Sequence, residues 1–280
     1  MLYDVSGLNL RFSMDLDIIA SAGLFFLVAA LYSSVGHAGA SGYLATMALL
    51  GFAPEQMRPT ALALNILVGG IGLWRFQCAA LVPWPKVLPF VLASIPMAFM
   101  AAQWHIPKDT YSLLLGALLL TAAIGAWRSG QLLAQSGEPM ISGAVPWPAA
   151  LAAGGAIGCL SGITGTGGAI FLTPLILAMG WTHTREASGL SVAFVWLNSL
   201  AAILGLLRSN QSFPEALPLW LLAVALGAVL GTQLGIQRWP VHRLRKSLAV
   251  VLAIAAGVVD ERPGEYICWV VAKVTTVQSE

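Results

Sequence analysis

Long apolar segments joined by short polar connections constrain the fold of this chain more than any other feature. A helix needs about 20 mostly apolar residues to cross the hydrocarbon core of a bilayer. Of the 280 residues, 58% are hydrophobic and 9% are charged, whereas a soluble domain carries about 25% charged residues. The pattern predicts an all-α polytopic integral membrane protein. Its transmembrane segments number about eight, at residues 18–50, 58–76, 84–104, 109–127, 147–180, 186–207, 214–236 and 243–259.

Charge and cysteine content exclude several classes of function. The chain carries 14 Lys and Arg against 12 Asp and Glu, and most basic residues lie at segment ends, as Arg75 and Arg128 do. Such cations mark membrane boundaries and are not typical of a nucleic-acid surface. Cys78, Cys159 and Cys268 lack the spacing of a metal site or a disulfide framework. We expect the bilayer and a small solute as partners, without nucleic acid, metal or cofactor; a homo-oligomer is left open.

Two of the apolar segments are interrupted by glycines and hydroxyl residues. The first reads SSVGHAGASGYLAT from Ser33, and the second reads SGITGTGGAIFLTP from Ser161. In hydrocarbon, non-helical backbone survives only where it is buried in protein or lines a watery cavity. Glycine permits positive φ and close approach to a ligand, and a helix that starts after the break presents free N–H groups to an anion. The two breaks therefore predict a shared cavity that binds a small anion.

The candidate substrate-binding residues are those of the breaks and two amides in the segments that follow. Hydroxyls and amides add hydrogen-bond donors, and the histidine adds a titratable group. For the glycines the alternative is close helix packing, and for the amides it is interhelical hydrogen bonding. The set comprises Gly36, His37, Gly39, Ser41, Gly42, Asn65, Thr164, Gly165, Thr166, Gly167, Gly168 and Asn198.

The two breaks belong to a longer internal duplication. When Gly36 is laid over Gly165, the stretch RPTALALN from Arg58 falls on EASGLSVA from Glu186 after a one-residue gap, which pairs Thr60 with Ser188. Internal duplication is typical of secondary transporters, and it fits parallel and inverted repeats alike. The predicted organisation is an N-terminal segment, a first membrane repeat, a linker, a second repeat and a tail, at 1–16, 17–127, 128–146, 147–259 and 260–280.

These motifs carry a resemblance to a known family. The pair SSVGHAGASGYLATMALLGF and SGITGTGGAIFLTPLILAMGW, each followed by a helix beginning near RPTALALN or REASGLSV, resembles the TauE/SafE sulfite exporter family. The resemblance covers about Asp17 to Val259. It implies a prokaryotic inner-membrane permease for sulfite, thiosulfate, sulfoacetate and related sulfur-containing or organic anions. The family's signature falls on Gly36, Gly39, Gly42, Gly165, Gly167, Gly168 and Pro174.

The first copy departs from the family's usual run of glycines, because it carries His37, Ala40 and Ser41. This departure leaves the identity of the anion open. All acidic residues fall at segment ends, in loops or in terminal regions, so His37 is the titratable group that we nominate within a segment, with the thiol of Cys159 as the second candidate. Export needs no such group, since each negative charge that leaves a negative cytoplasm gains about 2.3 kcal/mol per 100 mV.

Two rival functions fit parts of the same pattern. An anion channel would use the same cavity, and saturable flux with exchange between the two sides would distinguish a carrier from it. The run Gly39-Ala40-Ser41-Gly42 also matches the GxSG of rhomboid-type intramembrane serine proteases. Such a protease needs a histidine on another helix as general base, yet His105, His183 and His242 all lie near segment ends. We therefore expect a transporter and not an enzyme.

Overall fold

The computed structural model describes residues 5–104, 106–136, 145–207 and 213–236, and it folds them into nine α-helices without a strand. Each helix covers one of the apolar segments predicted from the sequence, or part of one, and α1 also extends back to Val5 in the predicted N-terminal segment. The helices are α1 (Val5–Ser34), α2 (Ala40–Leu49), α3 (Pro54–Cys78), α4 (Trp84–Ala102), α5 (Lys108–Ser136), α6 (Trp147–Thr164), α7 (Ala169–Ala178), α8 (Thr184–Leu206) and α9 (Leu217–Ile236).

Five of these helices are long and apolar enough to cross a membrane, namely Glu55–Cys78, Trp84–Ala102, Trp147–Thr164, Thr184–Leu206 and Leu217–Leu234. Shorter apolar helices are Ile18–Ser34, Thr110–Gly125 and Ala169–Ala178. Large side chains such as Leu222 and Leu226 are about two-thirds exposed, at 66% and 64%, as expected of helices that face lipid. The predicted all-helical, multi-pass membrane protein is confirmed.

Some predictions fall on parts of the chain that the structure does not describe. The eighth predicted segment, at 243–259, lies outside the described residues, as do the tail at 260–280 and His105. Helix α5 continues to Ser136 and so extends into the polar stretch predicted as a linker.

Both glycine breaks are present. Helix α1 ends at Ser34 and α2 begins at Ala40, while α6 ends at Thr164 and α7 begins at Ala169. Positive φ angles, which only glycine adopts at little cost, occur at Gly36 (79°), Gly39 (100°), Gly165 (79°), Gly167 (74°) and Gly168 (86°). The helices that follow, α2 and α7, have ten residues each, or about 15 Å, which is too short to span.

Each broken segment turns back on itself. In the first, Ser41 contacts Tyr32 and Gly42 contacts Val28. Residue numbers therefore rise along α2 as they fall along α1, so the two helices are antiparallel. In the second, Gly168 lies against Phe194 and Thr173 against Ser191, so α7 runs antiparallel to α8.

Helix α8 has the same direction as α6, because both run parallel to α4. The α4–α6 contacts pair Phe90 with Gly154, Ser94 with Gly158 and Ala98 with Gly162. The α4–α8 contacts pair Ser94 with Asn198 and Phe99 with Gly205. Since α7 is antiparallel to α8, it is also antiparallel to α6. The chain therefore reverses its direction at the second break.

Helices α3 and α8 form the centre on which the breaks lie. Their contacts pair Asn65 with Ser199, Gly69 with Trp196 and Gly72 with Val192. The numbers run in opposite directions, so α3 and α8 are antiparallel. Helix α4 packs against α6, and α1 packs against α9.

Candidate functional site

The first break places His37 inside the protein, where its side chain is 7% exposed. Its Nδ1 lies 3.2 Å from the carbonyl oxygen of Val35, and its Nε2 lies 3.2 Å from Oγ1 of Thr173 on α7. Because a carbonyl only accepts, Nδ1 carries the proton in the Val35 bond, and Nε2 of the neutral ring accepts from Thr173. Thr173 Oγ1 is in turn 2.6 Å from Ser191 Oγ on α8. A chain of polar groups thus connects the first break to α7 and α8.

Gly36 brings the first break into direct contact with α8. A Cβ at this position would lie 2.5 Å from Cβ of Ser188 and 2.6 Å from its Cα and carbonyl oxygen. Ser188 Oγ also donates a hydrogen bond of 2.9 Å to the carbonyl oxygen of Val35. Only glycine permits this approach, because two of the three nearest atoms are backbone.

The other candidates of the first break lie at the start of α2. Ser41 Oγ donates to the hydroxyl of Tyr32 at 3.0 Å, and a Cβ at Gly42 would lie 2.5 Å from Cγ1 of Val28. A Cβ at Gly39 would lie 2.8 Å from the ring of Tyr43. Ser41 and Gly42 thus line the contact between the two arms of the hairpin, whereas Gly39 contacts a side chain of α2 itself. Ser41 makes no hydrogen bond to a histidine in the described part of the chain, so a Ser–His pair of the protease type is not formed there.

The second break lies against Asn65 of α3 and Ser199 of α8. A Cβ at Gly167 would lie 2.7 Å from Nδ2 of Asn65 and 3.3 Å from Oγ of Ser199. Nδ2 of Asn65 donates to Ser199 Oγ at 3.3 Å. The Asn65 side chain is fully buried, yet its Oδ1 has no hydrogen-bond partner among the described residues. One half of this amide, Nδ2, is therefore satisfied and lies beside the break, and the other half, Oδ1, has no partner among the described residues.

The remaining candidates of the second break contact α6, α3 or one another. Thr164 Oγ1 donates to the carbonyl oxygen of Leu160 and lies 3.0 Å from Oγ1 of Thr166. A Cβ at Gly165 would lie 3.3 Å from Cα of Arg58, and one at Gly168 would lie 2.8 Å from Cγ2 of Ile157. Gly165 and Gly168 are thus close-approach positions.

The two breaks approach the same face of α3. Ala38 of the first break is the neighbour of Gly69, where an added Cβ would lie 3.6 Å from the Ala38 Cβ. Gly167 of the second break contacts Asn65. Asn65 and Gly69 are one helical turn apart, so they share a face and differ by about 6 Å along the axis. The structure thus brings both breaks to one stretch of α3.

Asn198, the second predicted amide, has a different environment from Asn65. Its Oδ1 accepts from Ser94 Oγ of α4 at 2.5 Å, and its Nδ2 donates to the carbonyl oxygen of Phe194 at 3.0 Å. Both ends of the Asn198 amide are therefore satisfied, and the side chain ties α4 to α8.

Several buried side-chain atoms near the breaks lack a partner in the described part of the chain. Leaving such a group unsatisfied costs about 1–3 kcal/mol, and buried polar groups are normally paired with protein or water. The atoms are Ser33 Oγ near the end of α1, Ser161 Oγ near the end of α6, and Arg58 Nε, Thr60 Oγ1 and Asn65 Oδ1 on α3. Unpaired donors and acceptors at the breaks and along α3 suit a polar ligand.

Sequence reasoning missed Thr173, Ser191, Ser199 and Arg58. Each is a polar residue within an apolar segment or at its edge, and this placement was the signal in the sequence that could have identified it. Which of them faces a break depends on contacts between helices that are distant in sequence. Within the described ranges, no group of three His, Cys, Asp or Glu residues is placed to hold a metal ion.

Comparison with known proteins agrees with this architecture. The family model for the sulfite exporter TauE/SafE matches residues 21–259. A relative from Sinorhizobium fredii (strain NBRC 101917 / NGR234), named "Probable membrane transporter protein y4hK", is 38% identical over 242 residues, which are 86% of this chain and 98% of the relative. No solved structure matches the chain. The chain belongs to the TauE/SafE sulfite exporter family of membrane transporters.

Proposed function

We propose that this transporter is a permease for a small sulfur-containing or organic anion, such as sulfite, thiosulfate or a sulfonate, in the inner membrane. The anion binds where the two breaks approach α3. The observation that carries the proposal is the Asn65 amide, which is fully buried beside Gly167 with one atom unpartnered. The family and the relative's name support transport, and the geometry supports the place.

The amide of Asn65 suits an anion because either of its ends can bond to Ser199 while the other end stays available to a ligand. The Ser199 side chain is a hydroxyl and therefore both donates and accepts. A half-turn of the amide exchanges its two ends, so that Oδ1 accepts from the Ser199 hydroxyl and the NH₂ group takes the position that lacks a partner among the described residues. An oxyanion bound there would accept a hydrogen bond from this NH₂ group, which is an uncharged donor.

The starts of α2 and α7 add further donors. The first backbone hydrogen bond inside α2 is donated by Tyr43 to Gly39, and that inside α7 by Phe171 to Gly168. The N–H groups before these residues have no intrahelical partner, and the helix dipole gives each start a partial positive charge. Two such helix starts near one stretch of α3 favour the binding of an anion, and they do so without a buried arginine.

We infer further that the two halves are inverted repeats. The sequence pairs Thr60 with Ser188, so α3 and α8 are corresponding helices, and these helices are antiparallel. Corresponding helices of parallel repeats would point the same way. In inverted-repeat transporters the substrate lies between the halves, near the midplane, which agrees with a site at the α3–α8 contact.

The test is flux into proteoliposomes that contain the purified protein. Labelled sulfite, thiosulfate and a small sulfonate are each supplied under an imposed membrane potential of either sign, with and without a pH gradient. We expect saturable flux of one anion that follows the potential and exchanges between the two sides. Flux that rises linearly with concentration and shows no exchange would point to a channel, and absence of flux for all three anions would refute the proposed substrates.

A further inference from the structure

Arg58 lies in the second turn of α3, half-buried, where it contacts the second break. Its Cα and its carbonyl oxygen are each 3.3 Å from the place that a Cβ would take at Gly165. Its guanidinium donates to three backbone carbonyl oxygens: Gly162 at 2.9 Å, Ala102 at 3.1 Å and Trp104 at 3.5 Å. These acceptors lie at the ends of α6 and α4, so Arg58 ties the two helix ends to α3.

The positive charge of Arg58 has no counter-charge in the part of the chain that the structure describes. Its three acceptors are neutral, and the ion pair found there joins Lys86 to Glu186 instead, at 2.9 Å. Glu186 is the residue aligned with Arg58 in the duplication. Among the described side chains, one half thus carries a neutral pair at this place, and the other carries a cation without a charged partner.

Part of the guanidinium is also unused. The buried Nε has no hydrogen-bond partner among the described residues, although both bonds of Nη2 are made. Asn65 follows Arg58 by seven residues, or two turns, so the two side chains share a face of α3 about 10 Å apart. Gly165 contacts the first and Gly167 the second, so both lie along the same break.

We propose that Arg58 selects anions at the end of α3 and passes them to the site at Asn65. Its charge raises the local concentration of anions, and its free Nε–H donates to an oxyanion that has reached the break. A dianion such as thiosulfate gains more from a fixed cation than a monoanionic sulfonate does. This inference rests on the proposed anion transport and adds a residue that determines charge selectivity.

A purely structural role is the competing possibility, because a cation at helix C-termini is stabilising. Arg75, at the other end of α3, supplies a matched control. Its Nη1 donates to the carbonyl oxygen of Val229 and to Oγ1 of Thr232 on α9, so it also ties α3 to another helix. Arg58→Gln and Arg75→Gln each remove an interhelical tie, but Arg58→Gln alone removes the charge beside the break.

The experiment compares wild type, Arg58→Gln, Arg58→Lys and Arg75→Gln in proteoliposomes, with flux expressed per folded protein. The readouts are the apparent KM for thiosulfate and for a sulfonate, each at low and high ionic strength. We expect Arg58→Gln to raise the KM for thiosulfate by about tenfold at low salt, to raise it less for the sulfonate, and to lose most of the salt dependence. Arg58→Lys should keep most of the wild-type behaviour, and Arg75→Gln should keep the wild-type KM.

The outcomes separate the two claims. If wild type carries thiosulfate and Arg58→Gln has the same KM and salt dependence, the selectivity role is overturned and Arg58 is a structural tie. An equal change of KM in Arg75→Gln would also overturn it. If wild-type vesicles show no saturable flux of any anion, the proposed function fails, and this inference fails with it.

Discussion

The two breaks share a glycine pattern but differ in how the opposite half holds them. The first is seated on α8, where Gly36 meets the backbone of Ser188 and the Ser188 hydroxyl donates to the Val35 carbonyl. At the corresponding place of the second break, the nearest atom to an added Cβ at Gly165 is 3.3 Å away. Thr60, which aligns with Ser188, has an Oγ1 without a partner among the described residues.

This difference shows that a shared sequence pattern fixes the turn but not its surroundings. Both segments reverse because glycine alone tolerates the positive φ angles of the break. How tightly each break is held depends on the helix contributed by the other half, which carries Ser188 in one case and Arg58 with Thr60 in the other. The unpartnered atoms gather on α3, so we expect ligand contacts mainly at the second break and structural strain mainly at the first.

The largest effect on transport is expected for Gly168→Leu. The position has a φ of 86°, and its Cβ would lie 2.8 Å from Ile157 and 2.9 Å from Phe194. We expect transport to be abolished while the protein still inserts, because the side chain obstructs the break. Gly23→Leu is the control, since nothing lies within 4 Å of a Cβ at Gly23. Wild-type flux from correctly inserted Gly168→Leu protein would remove the second break from the site.

The largest effect on stability is expected for Gly36→Ala, with Gly165→Ala as its matched partner. Both positions have a φ of 79°, so the conformational cost of about 1–2 kcal/mol is common to the two. The overlap with backbone occurs at Gly36 alone, at 2.5–2.6 Å against 3.3 Å. We expect Gly36→Ala to cost about 2 kcal/mol more, measured as thermal stability in detergent. Equal losses would show that the two breaks are held alike.

A smaller difference is expected between Ser188→Ala and Thr60→Val. Ser188→Ala removes the bond to Val35 and should cost about 1 kcal/mol. Thr60→Val replaces a buried hydroxyl that has no described partner with a methyl of similar size, so stability should stay the same or rise slightly. Thermal unfolding of the two variants in the same detergent checks the order, and a larger loss for Thr60→Val would contradict it.

The sequence predicted the helices well because the hydropathy of a segment depends only on the residues within that segment. The segment predicted at 84–104 is the helix Trp84–Ala102, and that at 186–207 is Thr184–Leu206. Both breaks were also predicted, since glycine weakens a helix and a cluster of glycines within an apolar segment favours a turn.

The sequence could not predict the direction of the chain after each break or the partners of single polar residues. Asn65 and Asn198 look equivalent as amides in the middle of apolar segments. The structure separates them because Ser94 of α4 satisfies Asn198, whereas Oδ1 of Asn65 has no partner in the described part of the chain. Such contacts join residues that are far apart in the chain, and no local periodicity encodes them.

The smallest effect is expected for the pH dependence that His37 gives to the first break. Its contacts include the carbonyl of Val35, the ring of Tyr32 and the hydroxyl of Thr173, which in turn lies against the hydroxyl of Ser191. Its protonation would place a positive charge near the bound anion, so the apparent KM of wild type should fall as the pH is lowered from about 8 to about 5.

Two substitutions of His37 test this expectation. His37→Ala removes the titratable ring, and His37→Gln keeps a donor for the Val35 carbonyl and an acceptor for Thr173 without a titration in this range. Thiosulfate is the substrate for the assay because it stays a dianion over the whole interval. A flat pH profile in both variants assigns the dependence to the charge of His37. A flat profile in His37→Ala alone assigns it to the hydrogen bonds, and a wild-type profile in both makes His37 a structural residue that joins the first break to α7.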